Sequence, residues 1–129
     1  MVKAFAAGDR VYVRTQQVWQ ILTAHVMMEQ GNLTYGELAT WMGHKKQAAR
    51  TLAPHLGLLA NFCIENNLPC LNTIVVGKAS GEPGHAVLMR PGTTVEQEQQ
   101  AVLEFDWFSV RTPTTGALRK VWDGPSDSD

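Results

Sequence analysis

The sequence lacks the features that mark several specialised classes of protein. Its 129 residues include only 2 cysteines, too few for a disulfide framework, so we expect Cys63 and Cys70 to be free thiols. The longest apolar stretches, such as residues 56–64, are interrupted by Gly or Asn and are far shorter than the roughly 20 residues of a membrane span. No sustained apolar segment near the N-terminus suggests a secretory signal. We therefore expect a cytoplasmic protein that is not embedded in a membrane.

Motifs for catalysis and for cofactor or metal binding are also missing. There is no GxGxxG sequence and no Walker loop, and the Cys and His residues do not show the short paired spacings of a zinc site. The acids at Glu96, Glu98, Glu104 and Asp106 are interpreted as one charged helix face rather than as a general acid and base. The sequence therefore predicts a protein that is not an enzyme and that needs no cofactor or metal.

The composition of the sequence is that of one ordinary globular domain, with 44% hydrophobic and 18% charged residues. A formal net charge of −1 conceals an uneven distribution. Residues 1–90 carry eight Lys and Arg against five acids, whereas residues 91–129 carry three against seven. A basic first part is compatible with a nucleic-acid surface, and an acidic second part is compatible with a basic partner.

Apolar periodicity and capping signals predict about four to five helices. Thr34 and Glu37 have the spacing of a capping box, Gly43 is a suitable helix end, and Pro54 can open a helix. The first predicted helix starts at Thr15 and ends before Gly31. The other predicted helices cover 35–42, 44–53, 54–66 and 95–105.

The remaining segments predict strands and a tail. Residues 11–13 are interpreted as a short strand, and residues 71–76 and 85–89 as the two strands of a hairpin around the turn-rich loop 77–84. Residues 109–129 are rich in Thr, Pro and Gly and then acidic, which predicts a flexible tail.

This order of elements is typical of a winged helix-turn-helix protein. We expect an α+β winged-helix domain over 1–108, with the helix-turn-helix in 15–53, a hairpin wing at 71–89 and a C-terminal helix at 94–105. The outer face of the third helix would offer cations and hydrogen-bonding side chains to double-stranded DNA, and the wing would add two more contacts. The expected contacts are His44, Lys45, Lys46, Gln47, Arg50 and Thr51 on the helix, and Lys78 and Ser80 on the wing.

The stretch LTYGELATWMGHKKQAARTL resembles the helix-turn-helix of the DNA alkyltransferases and alkyltransferase-like proteins. Their pattern also runs from a Tyr-Gly-Glu-Leu-Ala helix through a glycine turn to a helix with Ala-Ala-Arg. The resemblance covers residues 15–84 and implies DNA-handling roles for Tyr35 and Arg50, the arginine supporting a flipped nucleotide from the minor groove. It also implies recognition of damaged or modified bases as one possible activity.

The enzymes of that family carry their nucleophile in a Pro-Cys-His-Arg-Val-Val sequence, and Cys70 does not fit it. The paired valines begin three residues after the nucleophile there, but Val75 lies five residues after Cys70. Aligning the valines puts Asn72 at the nucleophile's position. Since the His-Arg that follows is also absent, we expect Cys70 to be a packed thiol.

The motifs QQVWQIL, TYGELA, FCIENNLPCLNTIVVGKASGEPG and the late FDW carry a closer resemblance, which covers nearly the whole chain. They resemble small bacterial and phage winged-helix domains related to the alkyltransferase-like fold. This resemblance implies a DNA-related binding module in phage defence or counter-defence. The alternative is a protein-binding inhibitor or adaptor of a nuclease or nucleic-acid complex. That alternative would use the C-terminal helix and tail, with Trp107 and Trp122 as contacts.

Overall fold

A computed structural model describes residues 7–45, 51–84 and 87–124. Within these ranges the chain forms an α+β fold of five α-helices and one two-stranded parallel sheet. The elements are α1 (Ala7–Met27), β1 (Leu33–Thr34), α2 (Tyr35–Trp41), α3 (Ala53–Glu65), β2 (Val75–Val76), α4 (Val95–Glu104) and α5 (Thr115–Asp123). Short 3-10 helices at Leu71–Ile74 and Trp107–Ser109 precede β2 and follow α4. No helix in the described ranges is long and apolar enough to cross a membrane.

The core is centred on Trp19 of α1, which is almost completely buried. Its ring meets Phe62 of α3 at 5.7 Å and Trp107 at 5.5 Å, both edge to face, a favourable arrangement for aromatic pairs. The indole N–H of Trp107 donates to the Val102 carbonyl at 2.9 Å. These contacts attach α4 and the turn that follows it to the α1 and α3 pair.

The first helix begins earlier than the sequence predicts, and the strand expected at residues 11–13 is wrong. These residues lie inside α1. Tyr12, Thr15 and Trp19 are all buried and follow one another at helical spacing, so a single face of the helix enters the core. Tyr12 packs in a second small cluster with Leu58 and Leu118.

The predicted hairpin at 71–89 is also wrong. β2 pairs in parallel with β1, with Leu33 opposite Val75 and Thr34 opposite Val76. Residues 87–89 are not in a strand, and residues 85 and 86 lie outside the described ranges. Every residue from Leu71 to Val76 is buried, so this segment is a core element covered on both sides rather than one arm of a projecting wing.

The capping signals read from the sequence are confirmed. Glu37 N–H donates to the Thr34 hydroxyl at 3.0 Å, and the Glu37 carboxylate accepts from Thr34 N–H at 2.8 Å. Helix α3 begins beside Pro54, as predicted. Of the predicted helix 44–53, residues 46–50 lie outside the described ranges, and His44 and Lys45 are in neither a helix nor a strand.

The prediction of a flexible tail from residue 109 is wrong for residues 115–123, which form α5. Thr114 caps this helix, and Leu118 is fully buried against α1 and α3. The Gln16 side chain donates to the Pro113 carbonyl at 3.0 Å, and the Arg119 guanidinium lies 5.0 Å from the Tyr12 ring centre. Val121 packs against the same small cluster as Leu118, and the Trp122 ring lies edge-on to Tyr12 at 6.5 Å, so apolar and polar contacts together hold this helix to the fold. Residues 125–129 lie outside the described ranges.

Candidate functional site

The parallel strand pair places the start of α2 beside the loop formed by residues 77–84. Both strands end at the same edge of the sheet, because β1 and β2 run in the same direction. Tyr35 follows β1 directly, and Gly77 follows β2. The Tyr35 hydroxyl accepts a hydrogen bond from the backbone N–H of Gly84 at 2.8 Å. This bond joins two segments that the sequence analysis assigns to one DNA-contacting surface.

The loop 77–84 is ordered by its own hydrogen bonds. Gly77 N–H donates to the Glu82 carbonyl, and Gly81 N–H donates to the Gly77 carbonyl, both at 2.8 Å. The Ser80 hydroxyl accepts from Glu82 N–H at 3.1 Å and lies 3.2 Å from the Glu82 carbonyl. A Cβ atom at Gly77 would lie 2.9 Å from the Ser80 hydroxyl. Ser80 therefore serves to close the loop, whereas the side chain of Lys78 is exposed.

A pocket of about 220 Å³ lies where α2, α3 and this loop meet. Its apolar sides include Leu56, Val87 and Leu88, and its polar groups include Tyr35 and Asn72. A mostly apolar cavity with a few polar groups in fixed positions is the usual form of a small-ligand site.

Asn72 is a polar residue among those that line the pocket, and it is only 6% exposed. Its amide nitrogen donates to the Leu88 carbonyl at 3.1 Å. Because a carbonyl group cannot donate, this bond fixes which end of the amide faces Leu88. No described residue donates to the other end, the oxygen Oδ1, although that atom is buried. A buried acceptor without a donor is uncommon in folded proteins and calls for an explanation.

Three of the predicted DNA contacts on the basic segment are described, and three are not. His44 is half-buried, and its backbone N–H donates to the Ala39 carbonyl at 2.9 Å, closing the turn after α2. The side chains of Lys45 and Thr51 are exposed. The other three predicted contacts, Lys46, Gln47 and Arg50, lie outside the described ranges.

The two cysteines are buried thiols. Cys63 and Cys70 are both 0% exposed, as the sequence analysis expects for a packed Cys70. Burial raises the pKa of Cys63 to about 12, and burial also raises the pKa of Cys70. Both side chains therefore stay protonated at neutral pH, and neither has the properties of an activated nucleophile.

Glu98 departs most clearly from the sequence analysis, which assigned it to an exposed charged face. It is 0% exposed, and its carboxylate accepts from the Arg90 guanidinium at 2.8 Å and from the Cys70 N–H at 3.1 Å. Burial opposes its ionisation, but these hydrogen bonds outweigh burial and lower the pKa of Glu98. The ion pair ties α4 to the segment at Arg90, and the bond from Cys70 N–H ties α4 to the segment that precedes Asn72. No periodic pattern in the sequence indicates that Glu98 pairs with Arg90, because Glu98 lies in a helix and Arg90 lies in neither a helix nor a strand.

The aromatic residues expected to contact a partner differ in their exposure. Trp107 is 3% exposed, so its proposed role as a partner contact is wrong, because its ring is part of the core. Trp122 on α5 is 49% exposed, and Phe108, the residue after Trp107, is 80% exposed.

Comparison of the chain with protein-family models, with curated proteins and with solved structures finds no match in any of the three. Within the described residues, no cluster of three His, Cys, Asp or Glu side chains could hold a metal ion. The function is therefore inferred from the side chains and from their arrangement.

Proposed function

We propose that this protein binds double-stranded DNA without chemically altering it. The binding surface comprises the start of α2 at Tyr35, the basic segment 44–51 and the loop 77–84. We describe it as a variant winged helix-turn-helix in which that ordered loop takes the place of the hairpin wing. The observation that carries the proposal is the hydrogen bond from Gly84 to the Tyr35 hydroxyl, because it holds the loop against the entrance of the helix-turn-helix.

The charge pattern around this surface supports an anionic partner. The chain has no Asp or Glu between Glu37 and Glu65, and this interval contains Lys45, Lys46 and Arg50. Lys45 is exposed and follows the turn at the end of α2. A cationic run without neighbouring acids attracts phosphate groups more strongly than a mixed surface does, since no local carboxylate competes for the cations.

The resemblance to the alkyltransferases adds support through two positions. It assigns a DNA-handling role to Tyr35, and alignment of the valines puts Asn72 at the position of the family's nucleophile. Both residues line the same pocket. Asparagine cannot accept an alkyl group as a thiolate does, and the nearby Cys70 is buried, which supports binding without transfer chemistry.

Fluorescence anisotropy of a labelled mixed-sequence duplex, titrated with the protein at several salt concentrations, tests this proposal. Each phosphate contact releases counterions, so the affinity should fall as salt rises. The variant Arg50→Ala should weaken binding by about 1–3 kcal/mol, the range for a good base contact. An affinity that does not respond to salt would contradict the electrostatic part of the proposal. An effect of Arg50→Ala below about 0.5 kcal/mol would remove Arg50 from the site.

A second candidate function, as a protein-binding modulator, is favoured by the exposure of Phe108. The Phe108 backbone N–H donates to the Asp106 carboxylate at 3.0 Å, which stabilises the backbone of the turn that carries the exposed ring. Exposed aromatic residues are common anchors at protein interfaces. Deleting residues 109–129 would not test this function, because the deletion removes the buried Leu118. The better test is a comparison of the proteins retained by the wild type and by Phe108→Ala, with duplex binding measured for both.

A further inference from the structure

We propose that the groove between α1 and the end of α2 is a binding site for a ligand in which a carboxylate is attached to an apolar ring. The groove has a volume of about 230 Å³ and shares none of its described lining residues with the pocket beside the loop 77–84. The inference does not depend on the proposed DNA-binding function. The groove is lined by Arg14, Gln17, Gln20, Ile21, Trp41 and Met42.

The first wall of the groove is one face of α1. Arg14, Gln17 and Ile21 follow one another at steps of three and four residues, which makes them neighbours on the surface of the helix. The end of α2 forms the opposite wall, where Trp41 is exposed and Met42 is buried. The groove therefore combines polar side chains from α1 with apolar surface from both helices.

The indole of Trp41 provides the apolar surface for a ligand ring. Trp41 is 59% exposed, although tryptophan is highly buried on average. Its ring lies edge to face with the His25 ring of α1, with the ring centres 6.1 Å apart. Helix α1 thus contacts the indole, while more than half of the residue stays accessible. A ligand ring that packs against the indole would remove apolar surface from water.

Arg14 gives the groove a positive charge, and none of the described lining residues is acidic. One N–H of the Arg14 guanidinium donates to the side-chain oxygen of Gln17 at 2.9 Å. A guanidinium has several N–H donors, so this bond leaves others for a ligand. Since Gln17 accepts through its oxygen, its N–H₂ group is a further donor. Arginine binds carboxylates through paired, charge-assisted hydrogen bonds, so a carboxylate suits this part of the groove.

The volume and the charge together define the ligand. A volume of about 230 Å³ exceeds the roughly 150 Å³ cavity that accepts benzene, so a ring with a short carboxylate arm fits. A cationic ligand would be repelled by Arg14, and a small inorganic anion would leave the Trp41 surface uncovered. A carboxylate attached to a ring occurs in free organic acids and at the C-terminus of a peptide that ends in an aromatic residue.

The test is a set of proton–nitrogen correlation NMR titrations with ligands that differ in one group. Phenylacetate is compared with phenylacetamide, which lacks the charge, and with acetate, which lacks the ring. N-acetylglycylphenylalanine and its C-terminal amide form a peptide arm. The titrations use the wild type, Arg14→Gln and Trp41→Ala. Arg111→Gln and Phe108→Ala are matched controls at exposed residues that do not line the groove.

For the wild type and both controls, we expect phenylacetate or the peptide acid to bind about tenfold more tightly than its amide and than acetate, because the charge and the ring both contribute. Arg14→Gln should lose the preference for the acid over the amide, and Trp41→Ala should weaken binding of the acid about tenfold. The signals of the Trp41 indole N–H and the Gln17 amide should shift. The Trp107 indole N–H, which donates to the Val102 carbonyl in the core, should not.

The comparison of ligands and the position of the shifted signals in the wild type stay informative even if a variant folds poorly. Binding of phenylacetate identifies a free acid as the ligand, and binding of the peptide acid alone identifies a peptide C-terminus. The inference is overturned if neither acid binds at about 10 mM, if acetate or the amides bind as tightly as the acids, or if the shifted signals lie outside the groove. Duplex binding is measured separately, and its failure would contradict only the proposed function.

Discussion

The Tyr35 hydroxyl and the Gly84 backbone N–H are joined by a 2.8 Å hydrogen bond across 49 residues of sequence. The two groups meet because parallel strands end at one edge of the sheet, with α2 following one strand and the loop 77–84 following the other. A Cβ atom at position 84 would approach the Tyr35 hydroxyl to 3.2 Å, so glycine suits this close contact. The bond connects the helical and loop parts of the proposed DNA surface.

Removing the Tyr35 hydroxyl tests whether this contact organises the surface. We expect Tyr35→Phe to lower the free energy of unfolding by about 0.5–1.5 kcal/mol, the usual net value of one hydrogen bond, and to weaken duplex binding. Urea denaturation and duplex anisotropy measure the two effects. Unchanged duplex affinity, in a variant that does lose stability, would show that the contact is structural and has no part in binding.

The ion pair between Glu98 and Arg90 should control stability at acid pH. The pKa of Glu98 is lower in the folded state than its ordinary value of 4.5. The stabilisation is therefore fully present above that value and is lost as the pH falls through the lower, folded-state pKa. Urea denaturation from pH 7 to pH 3 should show this loss in the wild type. In Glu98→Gln the same acid-dependent decrease should be smaller, since one titrating group has been removed.

Arg90→Ala should be more damaging than an ordinary loss of surface charge. It leaves the fully buried Glu98 carboxylate without its cation, a change that costs about 3 kcal/mol in buried pairs. The matched control, Arg111→Ala, removes an exposed arginine and should change the free energy of unfolding by less than about 0.5 kcal/mol. Similar effects of the two substitutions at pH 7 would contradict the assignment of Glu98 as a buried ion.

The thiols should be inert in the folded protein. Burial raises the pKa of both Cys63 and Cys70, and neither side chain is exposed. Iodoacetamide at pH 8 should leave the native protein unmodified, and the same reagent in urea should add two adducts, counted by mass spectrometry. Rapid modification of Cys70 under native conditions would reopen the interpretation of this residue as a nucleophile.

Two neighbouring aromatic residues should behave in opposite ways. Trp107 is buried against Trp19, whereas Phe108 is 80% exposed. Trp107→Ala should lower the free energy of unfolding by about 3–5 kcal/mol, and Phe108→Ala should change it by less than about 0.5 kcal/mol. Thermal and urea denaturation measure both. A large loss of stability in Phe108→Ala would mean that its ring supports the fold, and would remove the main support for the second candidate function.

Local signals in the sequence predicted local structure well. The Thr34 and Glu37 capping box and the start of α3 beside Pro54 both follow from interactions between residues a few positions apart. The β-branched residues in the run from Leu71 to Val76 favour extended structure and predict a hairpin strand. Its partner in the structure is the segment Leu33–Thr34. No pattern among neighbouring residues specifies a pairing between segments so far apart in the sequence.

The contacts of the candidate site that join distant parts of the chain could not be predicted from the sequence either. The motif around Tyr35 predicts a role for this residue, but its bond to Gly84 depends on a sheet pairing that the sequence does not predict. The alignment of the valines points to Asn72, but the burial of this residue and its bond to Leu88 follow only from the folded structure. The Thr, Pro and Gly residues before α5 predict a tail rather than a helix, although Leu118 marks the buried side of α5.

Charge reversal on the basic segment tests the central claim most directly. The double variant Lys45→Glu/Lys46→Glu is compared with Lys120→Glu, a control at an exposed lysine of α5, which carries none of the proposed contacts. Anisotropy of a labelled mixed-sequence duplex is measured at low and at moderate salt. The account predicts salt-dependent binding by the wild type and the control, and its loss in the double variant. Equal binding by all three proteins, or no binding by the wild type at low salt, would contradict it.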